Sequence, residues 1–288
     1  MIGKKDSLPE NAYIEVVRRP PSPPPFRFAL FDFDGTLSLI REGWQDIMIP
    51  YFVQVLQEVP GAREEAGLDR VVTDFVDTLT GKQTIFQCIR LAEEVSKRGG
   101  KPLKPGDYKN EYLRRLNIHI SNRIAALEGG ADPGDYLVKG SVQLLQLLKD
   151  RGYQLFLASG TDEKDVLREA GLLGLDAWFG QRIYGARDDI TDCSKELVIR
   201  SILEKNKVDG SELLSFGDGF VEIELVAGVG GYTVGLATDE RRREGINERK
   251  RRRLLDAGAD MIIPDFSDAQ ALMNALEKGG EPYAISAV

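Results

Sequence analysis

Hydrophobic residues along the chain occur in two patterns that indicate different kinds of structure. Short apolar runs of strand length end in polar residues or glycine, and helical spacing fills the segments between most of them. The strand-like runs are 26–31, 153–158, 182–184, 212–216, 232–236 and 261–263. Strands that alternate with helices form a parallel sheet with right-handed crossovers and both faces covered. The pattern therefore predicts an α/β fold with a Rossmann-like parallel sheet.

A stretch of roughly a hundred residues after the first strand departs from this alternation. Between Thr36 and Gly140 the apolar residues follow helical spacing, and no convincing strand signal interrupts them. The clearest series are Leu68, Val71, Val72, Phe75, Val76 and Leu79, followed by Ile85, Cys88, Ile89, Ala92 and Val95. Glycine and proline at 129–134 indicate a return turn. We expect an all-helical insert at 43–139, which divides the α/β core into 27–42 and 140–277.

The first 26 residues form a separate, proline-rich arm. They end in Arg-Arg-Pro-Pro-Ser-Pro-Pro-Pro, which cannot propagate a helix or a sheet ladder. An extended arm lying on the domain and a disordered linker are both compatible with this composition. Residues 12–17 have the pattern of a short edge strand before the proline run.

Composition and charge narrow the class of protein. The chain has 288 residues, 42% of them hydrophobic, and a net charge of −8, which disfavours general binding of nucleic acid. Cys88 and Cys193 lie far apart without metal-ligand spacing, as in proteins of a reducing compartment. No secretory signal or membrane-spanning run occurs in the sequence. We therefore expect a cytoplasmic protein without a membrane or nucleic-acid partner, of undetermined oligomeric state.

Two carboxylates follow the first strand-like run. Asp32 and Asp34 stand two residues apart, so in a strand both side chains point the same way at its C-terminal end. Ligands of parallel α/β sheets bind at that edge. Adjacent carboxylates repel one another unless a cation or shared proton intervenes, and Mg²⁺ suits such oxygen ligands. Gly35 permits a sharp turn, after which Thr36 can offer a hydroxyl or a backbone N–H to an anion.

Four short segments follow one another in a distinctive order. They are Phe31-Asp-Phe-Asp-Gly-Thr36, Leu155-Phe-Leu-Ala-Ser-Gly-Thr161, Lys195, and Gly217-Asp-Gly-Phe-Val-Glu222. In order and spacing they resemble the four motifs of the haloacid dehalogenase-like (HAD) superfamily of aspartate-nucleophile phosphatases. The resemblance covers 27 to about 265, with the helical insert in the place of the family's cap. It implies an HAD-like core that carries an inserted all-helical cap domain.

The resemblance also implies catalytic roles. Asp32 would be the nucleophile and form an aspartyl-phosphate, which divides one difficult displacement into two easier steps. Asp34 would protonate the leaving alcohol and later deprotonate water. Lys195 would neutralise developing charge and keep Asp32 anionic.

Binding roles follow from the same resemblance. Asp32, the backbone carbonyl of Asp34 and Asp218 would hold Mg²⁺, which offsets the repulsion between carboxylate and phosphoryl oxygens. Ser159 and the N–H of Gly160 would bind phosphoryl oxygens beside a helix N-terminus, with help from Lys195.

Two positions of the motifs leave alternatives open. The second acid of the fourth motif is Glu222, where the family more often has Asp, so it would ligate the metal directly or through water. Glu224 is a weaker alternative on the same expected helix. Lys205 and Lys207 compete with Lys195 for the third motif, but we favour Lys195 because it opens its helix.

Further candidates for contact with the substrate lie at the junction between core and cap. Arg41, Glu42 and Trp44 follow the nucleophile strand, and hinge packing is the alternative explanation for them. The turn Thr80-Gly-Lys82-Gln-Thr84 lacks the upstream glycine and the strand of a nucleotide-binding loop. As a turn between two cap helices, it can bring Lys82 to the active site or remain a plain surface turn.

Two other features have a structural explanation that requires no role in catalysis or binding. Asp239 to Arg253 contains eight Arg or Lys residues interleaved with acids, which predicts a solvated helical face with ion pairs. His119 is the only histidine and lies in a helical stretch, so Ser–His and multi-histidine zinc chemistries are excluded.

These observations rank the possible functions. The leading hypothesis is Mg²⁺-dependent hydrolysis of a small phosphorylated metabolite such as a sugar or polyol phosphate. A phosphomutase would use the same residues and return the phosphoryl group to another hydroxyl. True dehalogenation is disfavoured, because it needs neither Asp34 nor Mg²⁺. A catalytically idle binding or regulatory module remains an alternative of another class.

Overall fold

A computed structural model describes residues 14–62, 65–187 and 195–278. Seven strands in the described part form one sheet, in the order β1-β7-β6-β5-β2-β3-β4. The strands are β1 (Glu15–Val16), β2 (Phe28–Phe31), β3 (Gln154–Asp162), β4 (Ile183–Ala186), β5 (Leu213–Gly217), β6 (Tyr232–Leu236) and β7 (Met261–Ile263). Strands β2 to β7 are parallel, and β1 pairs antiparallel with β7. The predicted α/β fold with a parallel sheet is confirmed.

The centre of the sheet is apolar on both faces. Every residue of β2, whose sequence is Phe-Ala-Leu-Phe, is buried, as expected for a parallel strand covered by helices on both sides. Phe31 stacks on Phe216 of β5 with ring centroids 4.6 Å apart. This packing fixes where β2 ends, and the polar residues after Phe31 therefore emerge at a defined point of the sheet edge.

The described residues also contain eleven α-helices. They are α1 (Trp44–Gln57), α2 (Leu68–Thr78), α3 (Thr84–Lys97), α4 (Pro105–Glu128), α5 (Ser141–Asp150), α6 (Glu163–Leu172), α7 (Asp176–Phe179), α8 (Lys195–Asn206), α9 (Phe220–Gly228), α10 (Glu248–Asp256) and α11 (Ala269–Lys278). No helix in these ranges is both long enough and apolar enough to cross a membrane.

The first four helices pack on one another as the sequence pattern predicts. Their buried apolar residues include Phe52 of α1, Val76 of α2, Leu91 of α3 and Leu116 of α4. Between β2 and β3, the described residues contain no strand beyond two isolated bridges, which join Ser38 to Asp34 and to Leu137. The inserted segment is therefore helical.

The turn between α2 and α3 lies directly on the core. A Cβ atom on Gly160, at the end of β3, would lie only 2.6 Å from the backbone oxygen of Lys82. A Cβ on Gly81 would lie 3.3 Å from Val221 at the start of α9. The helical segment thus closes over the carboxyl ends of β3 and β5, where glycine permits the close approach.

Part of the proline-rich arm lies along the core in extended form. β1 pairs Glu15 with Ile262, and the guanidinium of Arg18 binds both carboxylate oxygens of Asp260. The edge strand expected at 12–17 is confirmed for Glu15–Val16. For 14–26 the structure supports the extended arm, and residues 1–13 lie outside the described part.

Candidate active site

The chemically important side chains come from neighbouring parallel strands. Asp32 follows β2, Asp218 follows β5, and Ser159 lies near the end of β3. The backbone N–H of Asp32 donates to the oxygen of Phe216 at 2.9 Å, which extends the β2–β5 pairing by one residue. The shared carboxyl-terminal edge brings together residues that lie more than a hundred positions apart.

A buried acidic cluster occupies this edge. Asp32, Asp218 and Glu222 are almost fully buried, and each contributes one carboxylate oxygen to a group in which all lie within 4.8 Å of one another. The Lys195 Nζ lies 2.8 Å from Asp32 Oδ1 and 2.7 Å from Glu222 Oε2. Of the three lysines considered in the sequence, Lys195 is the one that lies in the cluster.

Burial shapes the charge of this cluster. It raises the pKa of the Asp32 carboxyl well above its usual range, and the adjacent Lys195 ammonium opposes this rise. Burial also acts to lower the pKa of Lys195, but Asp32 and Glu222 outweigh it and raise that pKa. Lys195 is therefore cationic, and with Lys250, whose Nζ lies 2.7 Å from Asp218 Oδ2, two ammonium groups face the three carboxylates. An all-oxygen set with excess negative charge fits a hard divalent cation.

Asp34 has different surroundings from Asp32. Its Oδ2 accepts a hydrogen bond from Thr161 Oγ1 at 2.7 Å and a longer one from Ser159 Oγ at 3.4 Å. Its Oδ1 is buried and has no hydrogen-bond partner among the described residues. Burial raises the pKa of Asp34, although the Arg41 guanidinium opposes the rise. A carboxyl group with a raised pKa and an unoccupied oxygen is suited to give and take a proton.

Ser159 and Gly160 lie where the second motif predicts them. Both line a cavity of about 80 Å³ that also contains Asp32, Asp34 and Lys195. The Ser159 hydroxyl accepts a hydrogen bond from the Thr161 N–H at 3.0 Å, which fixes the turn before α6. Ser159 and Gly160 are thus adjacent to the acids, at the point where β3 leads into a helix.

Thr36 does not lie where the sequence analysis placed it. It is fully buried and is not among the described residues that line the cavity. Its hydroxyl instead accepts a hydrogen bond from the backbone N–H of Asp218 at 3.0 Å. Gly35, with φ of 74°, turns the chain away from the cavity. In the structure the Thr36 hydroxyl therefore links the first motif to the fourth instead of facing the cavity.

Glu222 binds groups of its own chain with both oxygens. Oε1 accepts from the N–H of Gly219 at 2.8 Å, which caps α9, and Oε2 accepts from Lys195. Glu222 lies in the acidic cluster, and its hydrogen bond holds the Lys195 ammonium beside Asp32. Glu224 is exposed on the same helix.

The candidates at the core–cap junction separate into two groups. Arg41, Trp44 and Lys82 line the cavity with Asp32, whereas Glu42 is not among the described residues that do so. Glu42 forms an ion pair with Arg123 of α4 at 2.8 Å. This ion pair holds the Glu42 carboxylate against α4, as the alternative of hinge packing would have it.

Arg41 is buried and surrounded by acids. Its guanidinium forms a bidentate pair with Glu169 of α6, with a closest distance of 2.7 Å. It also lies 3.5 Å from Asp165 and 3.9 Å from Asp34 Oδ1. The positive charge of Arg41 is therefore matched by the chain's own carboxylates.

The sequence analysis missed several cavity residues of the cap. Gln87 of α3 and Tyr112 of α4 are buried and line the cavity, and Gln87 Oε1 has no hydrogen-bond partner within the described part. Gln87 precedes Cys88, but α3 carries several other polar residues, so the sequence did not single out Gln87. Helical spacing alone does not show which helix meets the core.

The acid- and arginine-rich segment was also interpreted incorrectly in part. Its helix, α10, begins only at Glu248, and the segment is not a uniformly solvated face. Lys250 is largely buried, and its Nζ lies 2.7 Å from Asp218 Oδ2 and also binds Glu240. A charge run does not show which of its basic residues turns inward.

Comparison with known protein families gives one decisive match. The model of a haloacid dehalogenase-like hydrolase family matches residues 26–230, which include all four motif segments. The chain belongs to this haloacid dehalogenase-like hydrolase family. None of the curated proteins compared with the chain matches it.

Solved structures of haloacid dehalogenase-like proteins share the fold at low identity. A predicted phosphoglycolate phosphatase from Haemophilus somnus 129pt matches with a TM-score of 0.58 and 19% identity, over 86% of this chain and 98% of that one. A predicted phosphatase from Clostridium acetobutylicum matches with 0.57 and 18%, over 86% and 99%. A β-phosphoglucomutase from Clostridium difficile matches with 0.58 and 12%, over 88% and 98%. At these identities the similarity establishes the fold.

Proposed function

We propose that this haloacid dehalogenase-like hydrolase is a Mg²⁺-dependent phosphatase that hydrolyses a small phosphate monoester through an aspartyl-phosphate on Asp32. One observation carries the proposal. Asp32 lies in a buried cluster with Lys195, while Asp34, two residues on, accepts hydrogen bonds from Thr161 and Ser159 and keeps one oxygen without a hydrogen bond from any described residue. A fixed nucleophile beside a proton donor is the arrangement that this two-step reaction requires.

The acidic cluster supplies the proposed ligands for magnesium. Asp32, the backbone carbonyl of Asp34 and Asp218 would hold the ion, which supplies positive charge to the phosphoryl oxygens. In this proposal Glu222 acts mainly through Lys195, since Lys195 and Gly219 already bind its two oxygens.

In the first step, an Asp32 carboxylate oxygen forms a bond to phosphorus while the bond from phosphorus to the ester oxygen breaks. Asp34 donates its proton to the departing alcohol, so no free alkoxide forms. Lys195 binds Asp32 and balances charge as the phosphoryl group approaches. Ser159 and the Gly160 N–H bind phosphoryl oxygens at the end of β3.

In the second step, Asp34, now a carboxylate, takes a proton from water. The water oxygen forms a bond to phosphorus, and the bond between phosphorus and Asp32 breaks. Inorganic phosphate leaves, and Asp32 and Asp34 return to their starting protonation states. The same carboxyl group therefore serves as acid and then as base.

We further propose that residues 43–139 act as a cap that selects the leaving group. The turn between α2 and α3 lies directly on the core beside the cavity, which favours a small substrate. Arg41 is matched by carboxylates, so it offers little surplus charge to an acidic leaving group. Gln87 Oε1 is available as an acceptor within the described part. These features favour a neutral, hydroxyl-bearing leaving group, as in a sugar or polyol phosphate.

The cellular setting is part of the same proposal. A small phosphorylated metabolite is the expected partner, rather than nucleic acid or a membrane, because the chain carries a net charge of −8. Cys88 is a free, buried thiol, which agrees with a reducing, cytoplasmic compartment.

The test is phosphate release from a panel of phosphorylated sugars, polyols and acids, with Mg²⁺ and with excess chelator. We expect chelator-sensitive release from one or a few polyol or sugar phosphates. A phosphomutase would instead yield an isomeric sugar phosphate with little inorganic phosphate. No conversion of any panel member by the folded protein would contradict the proposal and favour an idle binding module.

A further inference from the structure

Lys250 is a buried lysine that none of the four motifs includes. Its Nζ lies 2.7 Å from Asp218 Oδ2, and it also binds Glu240 Oε1. The three side chains are only 11–17% exposed. A lysine held between two acids at such depth is not a solvated member of a charged helical face, since surface lysines keep their ammonium group in water.

The position of Lys250 is fixed by the helix that carries it. The Asn247 side chain accepts hydrogen bonds from the N–H groups of Arg249 and Lys250, both at 3.1 Å, and so caps the start of α10. Leu254, four residues further, is completely buried against the core. The first turn of α10 therefore holds Lys250 against Asp218 from a rigid element rather than from a loop.

Asp218 is restrained on several sides. Its backbone N–H donates to Thr36 Oγ1 at 3.0 Å, and its backbone oxygen accepts from Arg253 of α10 at 3.3 Å. A Cβ on Gly35 would lie 2.3 Å from Asp218 Oδ2, so this carboxylate oxygen packs against a residue that has no side chain. Lys250 provides the hydrogen bond to that same oxygen.

We infer that Lys250, itself held by Glu240, is a positioning residue that orients Asp218 for Mg²⁺. This inference rests on the proposed function, because Asp218 is a metal ligand only in that proposal. With Oδ2 bound to Lys250, Oδ1 is the carboxylate oxygen left for the ion. Partners that orient ligating carboxylates typically contribute 10- to 100-fold, roughly, to metal affinity.

Two opposing effects of Lys250 on metal binding have to be compared. A cation close to the site repels Mg²⁺, so removal of Lys250 would tighten binding if charge dominated. Glu240 neutralises this cation at hydrogen-bond distance, which reduces the repulsion. Orientation of Asp218 is then the larger effect, and we expect removal of Lys250 to weaken binding.

The experiment is isothermal titration of the full-length protein with Mg²⁺ in the absence of substrate. Lys250→Met should raise the Kd for Mg²⁺ by about 10- to 100-fold. Arg252→Met is the matched control, because Arg252 is exposed on the same helix. It should keep the wild-type Kd within about threefold, a change small beside the effect expected for an orienting partner.

A second variant distinguishes weaker metal binding from misfolding. Lys250→Met alone leaves Glu240 buried without its cation, whereas Lys250→Met combined with Glu240→Gln removes both charges and should fold more readily. The double variant should show the same loss of affinity. An unchanged or tighter Kd in either folded variant would overturn the inference while leaving the proposed function intact. If the wild-type protein bound no Mg²⁺, the metal assignment itself would be wrong.

Discussion

At the scale of single residues, Asp32 and Asp34 show how one strand end supports two chemical roles. Asp32 lies 2.8 Å from the Lys195 ammonium, which opposes the rise that burial produces in the pKa of Asp32. Asp34 receives hydrogen bonds from hydroxyl groups, and burial raises its pKa. Two carboxyl groups with different surroundings can therefore act as nucleophile and as acid–base at one site.

The role of Asp34 leads to a prediction about leaving groups. Asp34→Asn should lower kcat/KM for an alkyl phosphate by roughly 10²- to 10⁴-fold, because an alcohol leaves poorly without a proton. The loss should be much smaller for p-nitrophenyl phosphate, whose leaving group is stable as an anion. Steady-state kinetics with both substrates makes the comparison. Equal losses for the two substrates would show that Asp34 does not act as the acid of the first step.

At the scale of secondary structure, the site is built from the ends of strands and from the faces of helices. The sequence predicts the strand ends, but it does not predict which helix faces turn toward the site. The residues after β2, β3 and β5 could be predicted because apolar runs end there in polar residues, and parallel strands share an edge. Helical spacing predicted α3, and the interleaved charges of 239–253 predicted a helix in the segment that contains α10. It did not show that Gln87 faces the cavity or that Lys250 faces Asp218.

The contact between the α2–α3 turn and the end of β3 gives a second prediction. In Gly160→Ala, the new Cβ would lie 2.6 Å from the Lys82 backbone oxygen, so the cap turn must move. Displacement of a substrate-positioning element by about 1 Å can cost on the order of 100-fold in rate, and we expect kcat/KM to fall by roughly 10- to 100-fold.

Gly171→Ala is the control for this substitution. Gly171 lies in α6, and a Cβ there meets no atom within 4 Å, so activity should remain at the wild-type level. Both variants should keep the thermal unfolding profile of the wild type. Wild-type kcat/KM for Gly160→Ala would show that the closed position of the cap turn does not matter for turnover.

At the scale of the whole molecule, the cavity is lined by both the α/β core and the helical cap. The core contributes Asp32, Asp34 and Lys195, while Gln87 and Tyr112 come from the cap. The sequence could predict the chemistry, because the core residues stand in short local motifs. It predicted Trp44 and Lys82 from the cap side of the lining. It did not predict Gln87 and Tyr112, or the contacts of Thr36 and Glu42, because those depend on long-range packing such as that of Thr36 with Asp218.

The most direct test of the account is Mg²⁺-dependent phosphate release by the wild-type protein and by Asp32→Asn. Asn keeps the shape of Asp but cannot form the acyl-phosphate bond, so release should fall by at least about 1,000-fold. Glu224→Gln, at an exposed position of α9, should retain full activity. If Asp32 is the nucleophile, folded Asp32→Asn should lose phosphate release while Glu224→Gln keeps it. Substantial Mg²⁺-dependent release by Asp32→Asn would contradict the mechanism.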